Sequence, residues 1–151
     1  MEVTESSDLL LPFAAASVGA ARRRLVSDLV QAGVCGSVVT DAALVLSELV
    51  SNALRHATPL PGSGLRVAWI IDAVSVRVSV TDGGAPTAPE LGEPNPSTTG
   101  GRGLRIVERL SQCWGSRRDD EGTITVWAEV PVPQLTAVAG SAAAAERGWG
   151  G

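Results

Sequence analysis

The segment Val74–Asp82, VSVRVSVTD, alternates without a break. Val74, Val76, Val78 and Val80 point one way, and Ser75, Arg77, Ser79 and Thr81 the other. Successive side chains of a strand leave on opposite faces, so this pattern describes a strand with one face buried and the other against water. The preceding LRVAWIID, Leu65–Asp72, is mostly apolar, and the short link at Asp72–Ala73 predicts a hairpin. A sheet covered on one face needs a second layer, and the rest of the chain supplies helices for it.

Leu9–Ala15 is a short apolar segment, read as an edge strand. Ser17 reads as an N-cap for VGAARRRLVSDLVQAG, in which Val18, Ala21, Leu25 and Leu29 recur at helical spacing and Gly33 is the stop. A second helix is expected from Thr40 or Asp41 to Ala57, ended by TPLPGSG. Gly83–Gly100 is loop, since proline and glycine exclude regular structure over most of it. GRGLRIVERLSQC is a third helix with Leu104, Val107 and Leu110 as its stripe. WGSRRDDEGTITVWAEV is a closing hairpin turning near Asp120–Gly122, with Ile124, Val126, Ala128 and Val130 inward. The order β-α-α-β-β-loop-α-β-β predicts an α+β fold: a two-layer sandwich of a mixed, mostly antiparallel sheet with helices on one face. It is not an alternating Rossmann chain. The expected organisation is a flexible N-terminus over 1–8, one domain over 9–133, and a disordered Ala/Gly-rich tail over 134–151.

Composition removes several function classes. With 151 residues and 44% hydrophobic content, one domain can build a core. No apolar run reaches the roughly 18 residues of a membrane span. The acidic start MEVTESSD lacks the basic region of a signal peptide, so a cytoplasmic location is the expectation. Cys35 and Cys113 stand far apart, with neither a disulfide framework nor zinc spacing. A net charge of −4 and no dense basic run argue against nucleic acid, and the triplet Arg22–Arg24 reads as a solvated helix face. All 12 basic residues are Arg, so no lysine is present for a P-loop or for the strand lysine of a eukaryotic-type protein kinase.

Three polar sites remain. In LVLSELVSNALRHA, Leu44–Ala57, a 100° step places Leu46, Leu49, Val50, Ala53, Leu54 and Ala57 on one arc. Glu48 and Asn52 stand one turn apart on the other side, with Arg55 and His56 flanking them and Leu44 and Val45 beside them. This stripe is either a pocket wall or a salt-bridged surface with a Glu48–Arg55 pair and His56 capping carbonyls. Asp82 ends the alternating strand before Gly83–Gly84. A carboxylate there can accept from an exocyclic amine while glycine lets a flat ring approach, although Asp-Gly after a strand is also an ordinary turn. In STTGGRGLRIV, glycines run into a helix N-terminus, which suits either an anion or a flexible linker.

Taken together and in this order, the three resemble the GHKL ATPase superfamily with its Bergerat nucleotide-binding fold. ELVSNALRHA looks like its N box, TDGGAP and TTGGRGLRIV like its two glycine boxes, and GTITVWAEVP like its closing strand. The resemblance covers about Leu9 to Pro133 and is nearest to the small stand-alone anti-sigma-factor serine kinases, through SVGAARR and the form of the N box. It implies ATP and Mg²⁺ as cofactors. It implies that Asn52 is the metal ligand, Glu48 the general base, Asp82 the acceptor for the adenine amino group, and Gly84 the surface below the ring. Thr123 would add a second contact to the base, directly or through a water. Gly101, Arg102, Gly103 and Leu104 would lie at the phosphates, and the proline-rich loop would be the lid. His56 matches a position that often carries histidine in these kinases, with packing or capping as the other reading. The implied partners are a sigma factor and a STAS-domain anti-anti-sigma protein phosphorylated on Ser or Thr, and a homodimer is common in the family. The alternative is an ATP-binding module that sequesters a partner without phosphotransfer. A sensor histidine kinase core is disfavoured, since His56 is the only histidine and no acceptor histidine is left in cis.

Overall fold

The computed structural model describes residues 3–84 and 102–133. The elements are β1 (Val3–Leu11), α1 (Ala16–Gln31), α2 (Gly36–His56), β2 (Leu65–Asp72), β3 (Ser75–Asp82), α3 (Arg102–Leu110), β4 (Cys113–Arg118) and β5 (Ile124–Pro131). The five strands lie in the order β1-β2-β3-β5-β4, and all four pairings are antiparallel. This is the α+β architecture of the Bergerat type expected from the sequence. The loop from 85 to 100, Gly101 and the tail from 134 lie outside the described residues.

One face of the sheet is core. Val67, Trp69 and Ile71 of β2, Val76, Val78 and Val80 of β3, and Ala128 and Val130 of β5 are buried there. They meet Leu25 and Leu29 of α1, Val45, Leu46, Leu49 and Val50 of α2, and Leu104 and Val107 of α3. The alternation that predicted β3 is therefore real: its valines face the helices, while Arg77, Ser79 and Thr81 stay half-exposed on the other face. Val74 and Ser75 depart, Val74 exposed and Ser75 buried, because they sit at the hairpin turn, where both N–H groups donate to Asp72 Oδ1. On the open face Arg77 reaches Glu129 at 3.0 Å and stacks over the Trp127 ring.

Four boundaries differ from expectation. α3 stops at Leu110, so that Cys113, read as the helix end, opens β4. β1 begins at Val3 and stops at Leu11, instead of spanning Leu9–Ala15 behind a flexible 1–8. Residues 5–11 pair in register with β2, and Ser7 faces inward, where its hydroxyl donates to Asp28 Oδ2 at 2.9 Å. Serines and an aspartate hide a strand whose inner face is partly polar. Ser17 is not the N-cap of α1. Ala15 holds that position, and the Ser17 hydroxyl donates to Pro12 O at 2.6 Å. α2 begins at Gly36, ahead of Thr40, because Val38 already packs in the core and burial overrides the poor helix propensity of GSVV. Gly33, at φ +80°, ends α1 as expected.

By length and composition α2 could cross a membrane. It is instead the central core helix, packed between α1 and α3 and against β3 and β5.

Candidate functional site

The end of β3 delivers a carboxylate into the core face. Asp82 is cross-strand partner to Ile124 and only 4% exposed. Its Oδ1 accepts the Gly84 N–H at 2.7 Å, and no described residue donates to Oδ2. Burial pushes the carboxyl up from 3.8 to about 6, and the Gly84 N–H only partly offsets this. A desolvated carboxylate with one oxygen that no described residue donates to is set to receive an N–H donor.

Glycine is required around it. Gly84 lies at φ +87°, and a Cβ there would stand 2.6 Å from Gly122 O. A Cβ on Gly83 would stand 2.0 Å from Pro59 O. The two glycines thus keep bare backbone beside the carboxylate, between the Thr58–Pro59 segment and the β4–β5 turn.

α2, which packs on β3, carries the second group. Glu48 and Asn52 are half-buried at the edge of its core arc. Val45, read from the sequence as a neighbour on their side, is fully buried, which places the core boundary closer to Asn52 than the sequence suggested. Leu44 is exposed, as are Arg55 and His56 near the C-terminus of the helix. Among the described residues Glu48 makes no ion pair, so the Glu48–Arg55 bridge of a solvated face is not formed. Two oxygen-bearing side chains one turn apart, without described partners, suit a hard cation and a hydroxyl proton. No described cluster of three His, Cys, Asp or Glu residues could hold a metal by itself. A cation here would share oxygens with its ligand.

α3 starts at Arg102, with Gly103 next, and packs against α2. Leu104 is 5% exposed with its side chain in the core, so only its backbone N–H is available to a ligand at this helix N-terminus.

Thr123 is placed differently from the other candidates. Ile124, not Thr123, stands across the ladder from Asp82. The Thr123 hydroxyl donates to Asp119 Oδ2 in the β4–β5 turn. Sequence reasoning also missed Thr58. Its N–H and hydroxyl both donate to Gly84 O, at 3.0 and 2.6 Å. In the sequence it stands in a segment legible only as a helix breaker.

Residues 11–128 match the family described as a histidine kinase-like ATPase domain. No curated protein matches the sequence. Among solved structures, the chain is similar to the RsbU and RsbW domains of Rv1364c from Mycobacterium tuberculosis, with a TM-score of 0.62 and 23% identity. That likeness covers 86% of this chain and only 34% of the other, and at this identity it is a likeness of fold.

Proposed function

Because the chain belongs to the histidine kinase-like ATPase domain family, we propose that it binds Mg-ATP and acts as an anti-sigma-factor-like serine/threonine protein kinase. Its protein substrate would be a STAS-type anti-anti-sigma partner, and it would sequester a sigma factor. The observation that carries the nucleotide part is Asp82: a buried carboxylate, raised to about 6, with one oxygen fixed by Gly84 and the other without a described donor. The protein-kinase part is supported by the N-box form ELVSNALRHA and by SVGAARR, which resemble the anti-sigma-factor serine kinases.

In this reading Asp82 Oδ2 accepts from the adenine amino group, and the bare backbone at Gly84 lets the ring lie close. The N-terminus of α3 neutralises phosphate charge with free N–H groups. Asn52 would supply one amide oxygen to Mg²⁺, and the cation would offset phosphate charge. Glu48, one turn away, takes the proton of the partner's hydroxyl. Phosphoryl transfer depends on such positioning and charge neutralisation more than on covalent chemistry.

The test is labelled ATP with Mg²⁺ and STAS proteins from the same genome, with Glu48→Ala alongside. We expect label on a partner Ser or Thr, lost in the variant while nucleotide binding survives. If both proteins bind ATP and neither labels a partner, the kinase reading fails and a sequestering module remains.

A further inference from the structure

Thr58 lies just past the C-terminus of α2 and 26 positions before Gly84, outside the segments that carry Glu48, Asn52 and Asp82. Its N–H and its Oγ1 both donate to Gly84 O, at 3.0 and 2.6 Å. Its own carbonyl accepts from Gly83 N–H at 2.8 Å. The contact is backbone against backbone, since a Cβ on Gly83 would meet Pro59 O at 2.0 Å and Thr58 Oγ1 at 3.1 Å.

These bonds bracket one peptide. Thr58 holds the amide N–H that precedes Gly83 and the carbonyl that follows Gly84. Between them lies the Gly83–Gly84 peptide, whose N–H donates to Asp82 Oδ1 at 2.7 Å. With both neighbours held by Thr58, the positions of Gly83 and Gly84 on either side of that peptide are fixed relative to the end of α2. The peptide N–H occupies Oδ1, and among the described residues nothing donates to Oδ2, the oxygen this reading gives to the ligand. The two donors from Thr58 use both lone pairs of the Gly84 carbonyl. The hydroxyl is thus a second lock on a residue at φ +87°, a backbone region only glycine enters readily.

We propose that Thr58 is a positioning residue for recognition of the base: it fixes Gly84, and through Gly84 it aims the Asp82 carboxylate at an exocyclic amine. The inference rests on Asp82 being the adenine acceptor. Thr58 does not touch the ligand, so its effect is confined to the part of the affinity that depends on the base. It also ties the end of the helix bearing Glu48 and Asn52 to the end of the strand bearing Asp82.

The experiment is calorimetric binding of Mg-ATP, Mg-GTP and Mg-tripolyphosphate to the wild type, Thr58→Val and Thr58→Ser, with melting temperatures recorded. Valine keeps the shape and the backbone bonds and removes only the hydroxyl donor. We expect the wild type to prefer ATP. We expect Thr58→Val to weaken ATP about fivefold, the size of one lost neutral hydrogen bond, and to leave tripolyphosphate unchanged. Thr58→Ser keeps the hydroxyl and is expected to bind as the wild type does. A wild type that prefers ATP beside a valine variant with the same preference overturns the role of Thr58. So does an equal loss for tripolyphosphate, or a serine variant as weak as the valine one. A wild type with no preference for ATP overturns the Asp82 reading itself, and the Thr58 inference falls with it. Should the valine variant melt far below the wild type, the serine comparison still decides whether the hydroxyl matters.

Discussion

The Gly84 N–H donates to Asp82 Oδ1 at 2.7 Å on a carboxylate that retains 4% of its exposure. That bond favours the ionised form, yet burial outweighs it and lifts the carboxyl to about 6. An amine donating to the other oxygen would add to the ionised side. Binding of an adenine nucleotide is then linked to proton loss wherever Asp82 is protonated in the free protein. Affinity should hold steady above pH 7 and fall as pH drops through about 6, approaching a tenfold loss per unit. Calorimetry across that range checks it, with tripolyphosphate as the control for phosphate titration. A flat ratio of ATP to tripolyphosphate affinity contradicts the linkage.

The same carboxylate works against folding at neutral pH. Its folded pKa is raised above 3.8, so its contribution to stability is fully present below 3.8 and is lost as pH rises through about 6. Asp82→Asn removes the buried charge and keeps an oxygen for the Gly84 N–H. The variant should be more stable than the wild type at pH 7, by about 1–3 kcal/mol, with the gain shrinking toward pH 4. It should also lose its preference for adenine. Urea denaturation at the two pH values measures the first effect, and competition between ATP and GTP the second.

Much of this arrangement was legible because it is written in local pattern. The valines at 76, 78 and 80 gave the phase of β3, and Gly33 gave the end of α1. Asp82, Glu48 and Asn52 were found as odd polar residues beside apolar runs. What escaped notice depends on contacts distant in sequence. The strand over 3–8 is polar because Ser7 bonds Asp28 on α1. The first turn of α2 is helical because Val38 has a core to enter. The pairing of Asp82 with Ile124 follows from the register of β3 with β5, which no single segment encodes. Thr58 meets Gly84 across 26 positions of sequence.

Gly84→Ala tests the geometry around the carboxylate. The methyl would enter a site 2.6 Å from Gly122 O, at a φ of +87° where alanine is strained. Both effects act on the turn that holds Asp82. The variant should lose about 1–3 kcal/mol of stability and most of its adenine affinity, and a change at the neighbouring half-buried turn position, Gly122→Asn, should cost less. Nothing lies within 4 Å of a Cβ at Gly122, which isolates the backbone cost at its φ of +90°. Equal losses in the two variants would show that the contact with Gly122 O is unimportant.

Asp28 is a joint between layers. It is 6% exposed, accepts the Trp69 Nε1–H and the Ser7 hydroxyl, each at 2.9 Å, and lies 3.7 Å from Arg24 Nε. Asp28→Ala strands the indole N–H of a tryptophan that is 1% exposed. The expected cost is about 2–4 kcal/mol, since a buried donor left without a partner adds to the lost charge-assisted bonds. Trp69→Phe in the same background should recover part of it, because the orphan donor is then gone. The double-mutant cycle, followed by circular dichroism in urea, gives the coupling. Strict additivity would mean the indole bond carries no stability.

Asn52 offers the sharpest separation between cation and nucleotide. Its amide is half-buried one turn after Glu48 and has no described partner, so truncating it strands no group among the described residues. Asn52→Ala should therefore fold as the wild type does. If the amide oxygen is a ligand, ATP affinity measured with Mg²⁺ should fall about tenfold or more, while affinity measured in chelator should not change. Asn52→Asp places a charged oxygen at the same distance. It should keep cation dependence and weaken ATP through repulsion of the phosphates, an effect that added salt reduces. A loss in Asn52→Ala that is equal with and without Mg²⁺ would assign the residue to the nucleotide and leave the cation to phosphate oxygens and water.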